Sequence, residues 1–277
     1  MGTSRDFLGS PKWGTTKGQA TSAGSAGAVG TEKAGKLVAS FVQQLGSATT
    51  GGFGPKVSGG GHGGGQGSAG GGRGRGGGSG GGGGGRGGYG RSGSTSGGAR
   101  GVAAGVGRFV SDVAKVGLSK ALEALGLKSC DGKSAAEVAL TLQEALGGPA
   151  TTVDQEDLRA ALGELMEELL SPVDAFAEVE QAFREAAANL SHVIERLFSH
   201  YIFQRFCTLN YHGVMNQHGP ANAESFFASI RDYIAEKMNL TGVNKDIGGV
   251  NWSGAEGAQV VDSILLETIE VFSLNEA

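Results

Sequence analysis

The chain has 277 residues, 54 of them glycine and only 2 cysteine, with a formal net charge of −4. That near-neutrality hides a division: Met1 to Arg108 sets 12 Lys/Arg against Asp6 and Glu32, a formal +10, while the remainder carries 11 basic and 25 acidic residues, −14. Two distant cysteines exclude a disulfide framework, and neither a signal-peptide h-region nor an apolar run of the ~20 residues that cross a bilayer is present, so a cytoplasmic, non-membrane protein is expected.

Residues 1–30 are rich in Gly, Ser, Thr and Ala, with isolated Phe7, Leu8 and Trp13, and read as a flexible segment. Over 31–46 the spacing predicts one short helix: Leu37, Phe41 and Leu45 recur every four residues, and Val38 and Val42 widen the stripe. So short a helix must dock on something or fray. Residues 47–100 read as a Gly/Arg-rich linker, because glycine runs such as 80–85 offer few apolar side chains to bury against maximal backbone entropy.

Residues 101–277 form the acidic helical domain, long enough to bury roughly 70% of its unfolded surface. Its first helix carries Phe109, Val113 and Val116, continues through Leu118, Leu122 and Leu125, and is capped by Gly126. Ser134 and Glu137 spell a capping box for the next, which bears Val138, Leu142 and Leu146 and stops at Gly147-Gly148-Pro149. Asp154 opens a third with Leu158, Leu162, Leu165 and Leu169; Pro172 begins a fourth with Phe176, Val179 and Phe183. From Leu190 to Leu209 apolar residues cover the whole circumference, the pattern of a central helix. Phe226 to Met238 and, after a second capping box at Ser253 and Glu256, Val260 to Phe272 complete the set. The expected fold is all-α: a bundle of about six or seven helices preceded by a disordered Gly-rich N-terminal tail.

Chemical motifs are weak. Gly126 to Ser134 resembles a P-loop but has five residues between its glycines where four are needed, and it follows a helix, not a strand. His200 and Cys207 share a helical face, but two ligands do not make a metal site. Glu164, Glu167 and Glu168 read as a solvated helix face. No catalytic residue, metal site or cofactor is predicted. Arg73, Arg75, Arg86, Tyr89 and Arg91, spaced by glycine, resemble an RGG segment that holds RNA or DNA through phosphate contacts and stacking. At the start, removal of Met1 would leave Gly2 as a free α-amine, and Asp6 stands where the myristoylation pattern asks for Ser or Thr.

Met1-Gly2-Thr3-Ser4, Pro11-Lys12-Trp13, the glycine-rich stretch, Ser199 to Phe206 and Asn251 to Gly257 together resemble the QatB family, the second component of bacterial four-gene Qat anti-phage defence systems. The resemblance implies a non-enzymatic subunit working with a QueC-like protein (QatC), an ATPase and a TatD-like nuclease. By its relation to other QueC-containing operons it further implies Gly2 as the acceptor of a modification, such as a deazaguanine. Gly2, Thr3, Ser4, Pro11 and Trp13 would then meet the partner, with the Gly/Arg-rich middle as the tether that gives Gly2 its reach. The alternative reading is an RGG-type nucleic-acid binder.

Overall fold

The computed structural model describes residues 11–49, 95–127, 133–171, 173, 175–241, 249–252 and 254–273. Among them are ten α-helices, a 3-10 turn (Gly24–Ala26) and no strand. In chain order the helices are α1 (Pro11–Ala23), α2 (Thr31–Thr49), α3 (Thr95–Val116), α4 (Leu118–Ala124), α5 (Ala135–Gly147), α6 (Val153–Leu170), α7 (Phe176–Ala188), α8 (Leu190–His218), α9 (Pro220–Thr241) and α10 (Ala255–Ser273). The all-α reading holds, and the count of six or seven is too low.

Part of the shortfall lies in α1, which falls in the stretch read as flexible. Its inward residues are Thr16, Ala20 and Ala23, all essentially buried, with Trp13 packed on the Phe41 ring at 5.4 Å between centroids. A stripe of small residues leaves no trace in a search for large apolar ones, and Gly14 and Gly18 weaken the intrinsic helix. Tertiary contact supplies what propensity lacks. Helix α1 lies against α8 so closely that a Cβ on Gly213 would stand 2.7 Å from Thr21 Oγ1, and the His218 ring reaches the Thr21 carbonyl at 2.7 Å. Helix α2 docks rather than frays, burying Leu37, Val38, Phe41, Val42 and Leu45.

The first helix of the acidic domain is in fact two. Gly117 takes φ +86°, and the Leu118 N–H that the break exposes donates to Glu180 Oε2 of α7 at 3.0 Å. A glycine in the left-handed region ends one helix, and a side chain from another caps the next. Phe109 and Val113 are buried as expected, but Val116, beside the break, is half exposed. Ser134 and Glu137 form the expected capping box on α5. A second box, Thr152 with Gln155, opens α6 at Val153, one residue before Asp154. Helix α7 begins at Phe176, with the Ala175 N–H donating to Glu178; Pro172 lies outside the described residues.

Helix α8 is the hub, as its all-round apolar pattern demands, and packs against α6, α9, α1 and α10. An aromatic spine crosses it: Trp13 on Phe41, Phe41 on Phe206 at 5.3 Å, and Phe206 against Phe227 at 6.1 Å and Phe226 at 6.3 Å. A second pair, Phe109 and Phe183 at 5.2 Å, ties α3 to α7.

Candidate functional site

The faces of α6 and α8 that meet each other are not wholly apolar. On α6 the spacing of Asp157, Glu164 and Glu168, seven and then four residues, puts three carboxylates on one stripe; on α8 Arg196, His200 and Gln204 recur every four. The two stripes interdigitate. His200 Nδ1 lies 2.9 Å from Glu164 Oε2, and its Nε2 lies 3.1 Å from Glu168 Oε2. Arg196 pairs with Glu168, Gln204 Nε2 donates to Glu164 at 2.7 Å, and Arg231 of α9 reaches Glu164 at 3.0 Å. Two to three turns nearer the start of α6, Tyr201 donates its hydroxyl to Asp154 at 2.5 Å, while Asp157 accepts from Thr208 at 2.5 Å and Arg205 at 3.0 Å.

Two carboxylates, one at each ring nitrogen, require an imidazolium, since only the doubly protonated ring donates from both. Burial pushes the His200 pKa down, but hydrogen bonds and charge from Glu164 and Glu168 outweigh it and raise it to about 9. Burial likewise pushes Glu164 up, but His200, Arg231 and Gln204 hold it below its ordinary value; at Glu168 the His200 hydrogen bond leads and the net is again downward. Asp154 and Asp157 go the other way: burial raises both against the donors that face them.

A folded-state pKa raised from 6.5 to about 9 stabilises the fold fully below pH 6.5 and loses that contribution as pH rises through 9. The His200 proton is therefore worth up to about 3 kcal/mol. Urea midpoints are expected to fall between pH 7 and 9.5, and His200→Gln should flatten that limb. A His200→Gln slope equal to the parent's would show that the proton does not reside there.

This seam is a lattice of ion pairs: Glu164 and Glu168, expected on a solvated face, are among its acceptors, while Glu167 is exposed as expected. A His200 that donates from both nitrogens accepts no proton at neutral pH. The Cys207 thiol, pushed up to about 12 by burial, is no nucleophile. Spacing along α8 puts His200 and Cys207 on one helical face, whereas the glutamates that claim His200 come from α6. Such partners are invisible along the α8 sequence. Among the described residues no three His, Cys, Asp or Glu side chains gather to hold a metal, and no helix is long and apolar enough to cross a membrane.

Of the partner-facing residues expected at the N-terminus, Trp13 sits half-buried on Phe41, and Pro11 is the first residue of α1. Gly2, Thr3 and Ser4 lie outside the described residues, as do Arg73, Arg75, Arg86, Tyr89 and Arg91. Docking of α1 and α2 corrects the tether. The stretch 50–94 joins α2 to α3, so it cannot set the reach of Gly2. Gly2 precedes Pro11 by nine residues and stays within roughly 30 Å of the start of α1, the limit of a fully extended chain.

The motif Asn251 to Gly257 turns out to be a packing device. The backbone N–H of Asn251 donates to Glu256 Oε2 at 3.0 Å, and Gly254 and Gly257 return their N–H groups to the Asn251 carbonyl at 3.1 and 3.2 Å. Glu256 thus serves Asn251; Ser253, the expected cap, lies outside the described residues. Trp252 is buried with its ring over Gly107 of α3, where a Cβ would stand 2.6 Å away. Nothing in the sequence flagged Gly107.

Searches of curated proteins and of solved structures find no match. A family model described as "Qat anti-phage system associated protein QatB" matches residues 87–272, which span α3 to α10 and leave α1 and α2 outside the match. That match covers more than half of the chain and contains the ion-pair seam, the hub helix and the Trp252 device. The chain therefore belongs to the QatB family and is a component of an anti-phage defence system.

Proposed function

We propose that the helical body is a handle held by a QueC-like partner (QatC) in the cytoplasm, and that Gly2 is presented to that partner as an acceptor for modification, with a deazaguanine as the expected group. The ATPase and TatD-like nuclease of the same system complete the assembly. The α-amine of Gly2 would attack a carbon that the partner has activated with ATP, forming the C–N bond as the bond to the activating phosphate-derived group breaks and that group leaves, with the amine proton passing to a base held by the partner.

The supporting observation is the anchorage of α1. Trp13 on Phe41, and Phe41 on Phe206, fasten the chain to its hub eleven residues after Gly2. An amine on so short a lead is delivered to a bounded volume beside the body, which favours an enzyme that grips that body. Shortening the search volume of a tethered reactant raises its effective concentration.

Intact mass and N-terminal peptide mapping of the chain, co-expressed with its companions, test this. An adduct on Gly2 is expected, and it should vanish when the QueC-like protein is omitted. A free, unmodified Gly2 in a system active against phage would overturn the proposal.

A further inference from the structure

Where α6, α8 and α9 meet at the surface, the seam opens into a cavity of about 200 Å³. Its apolar lining includes Phe203, Ile234 and Met238, each nearly buried, and Glu168 stands with Arg196, His200 and Arg231 in its polar lining. Three properties of this cavity select an occupant.

The first is size. Pockets for free small molecules hold ~300–1,000 Å³. A cavity of about 200 Å³ is too small for that class and suits a single apolar side chain.

The second is charge. Arg196, His200 and Arg231 make their ion pairs with Glu164 and Glu168, three cations against two carboxylates, in a stretch whose formal charge after Arg108 is −14. Arg231 stacks on the Phe203 ring at 4.5 Å, is 59% exposed and pairs with Glu164 through Nη2. Arg196 pairs with Glu168 through Nη1. A guanidinium carries five donors in a planar fork that matches a carboxylate, so one paired nitrogen leaves the fork able to bind a second anion.

The third is geometry. The apolar group and the anion must arrive together, because the arginines line the same cavity as the apolar residues. The last residue of a chain carries both on one Cα. An internal residue would bring a neutral carbonyl to the arginines and would need room for the chain that follows it.

We infer that this cavity takes the C-terminal apolar residue of a protein partner, with its side chain against Phe203, Ile234 and Met238 and its α-carboxylate on Arg196 and Arg231. Arginine, phenylalanine and methionine are also the residue types enriched where proteins meet. Capture of a terminal carboxylate is an established mode of peptide recognition. The inference concerns the α6, α8 and α9 face and not Gly2, so either reading can fail without the other.

The test uses the full chain with labelled methyl groups, titrated with N-acetyl-Gly-Ser-Leu as the free acid and as the C-terminal amide. The free acid should shift the Met238 and Ile234 methyl signals saturably, and the amide should bind about tenfold or more weakly. Arg231→Ala, at an exposed position, should reduce the free acid to the level of the amide, and Arg231→Lys should fall between. Equal binding of acid and amide, or no shift with either, would overturn the inference. So would inorganic phosphate producing the same shifts at the same concentration, which would mark a general oxyanion site instead.

Discussion

Phe206→Ala is expected to lower the unfolding free energy by about 3–5 kcal/mol, the range for removing a buried aromatic ring and leaving its cavity. Phe206 is fully buried at the crossing of α8 with α2 and α9, with its ring against Phe41, Phe226 and Phe227. Three well-placed aromatic neighbours leave little freedom to collapse into the void, which favours the upper part of the range. The effect should also travel. Phe41 rests on Phe206 and Trp13 rests on Phe41, so amide exchange in α1 should accelerate more than in α5, which lies away from the spine. Phe206→Leu keeps most of the volume and should cost less than half as much. Urea denaturation with exchange measured residue by residue would decide; a loss below about 1 kcal/mol would mean that the spine does not carry the hub.

The second large effect lies at Trp252. Alanine in place of a helical glycine ordinarily adds about 1 kcal/mol of stability. At Gly107 the new Cβ would meet three atoms of the Trp252 ring at 2.6 to 2.8 Å, and at Gly257 it would meet the Trp252 backbone at 2.6 Å. Overpacking of this kind costs about 1–3 kcal/mol, so the clash should win at both positions, more firmly at Gly257, where backbone must move. Gly107→Ala and Gly257→Ala are therefore each expected to destabilise. The sign should reverse in a cut-back background: with Trp252→Leu, Gly107→Ala loses its obstacle and should become neutral or stabilising. Thermal or urea unfolding of the four-member cycle measures this directly, and additive behaviour would refute the contact.

Some of the short stretches that carry the family resemblance encode packing in this fold. Asn251 to Gly257 is an example: its tryptophan, glutamate and two glycines fold a loop over the start of α10 and clamp it to α3. The sequence displayed the motif but not Gly107, its counterpart on α3. The seam shows the same asymmetry. Glu164, Glu168 and His200 are each visible in the sequence, but their pairing is not, because spacing along one helix carries no information about the helix opposite.

What the sequence determined by itself was the class of the fold, the central place of α8 and the capping of α5. Each follows from short-range rules, namely the 3.6-residue period, an unbroken apolar circumference, and a side chain reaching three residues. The tertiary structure decided the rest. It made a helix of α1 despite Gly14 and Gly18, broke α3 from α4 with a cap supplied by Glu180, and charged His200 by placing two glutamates against it. These outcomes depend on contacts between residues from about 30 to 200 positions apart, as in Glu168 with His200 or Thr21 with His218, and burial there magnifies interactions that are weak in water.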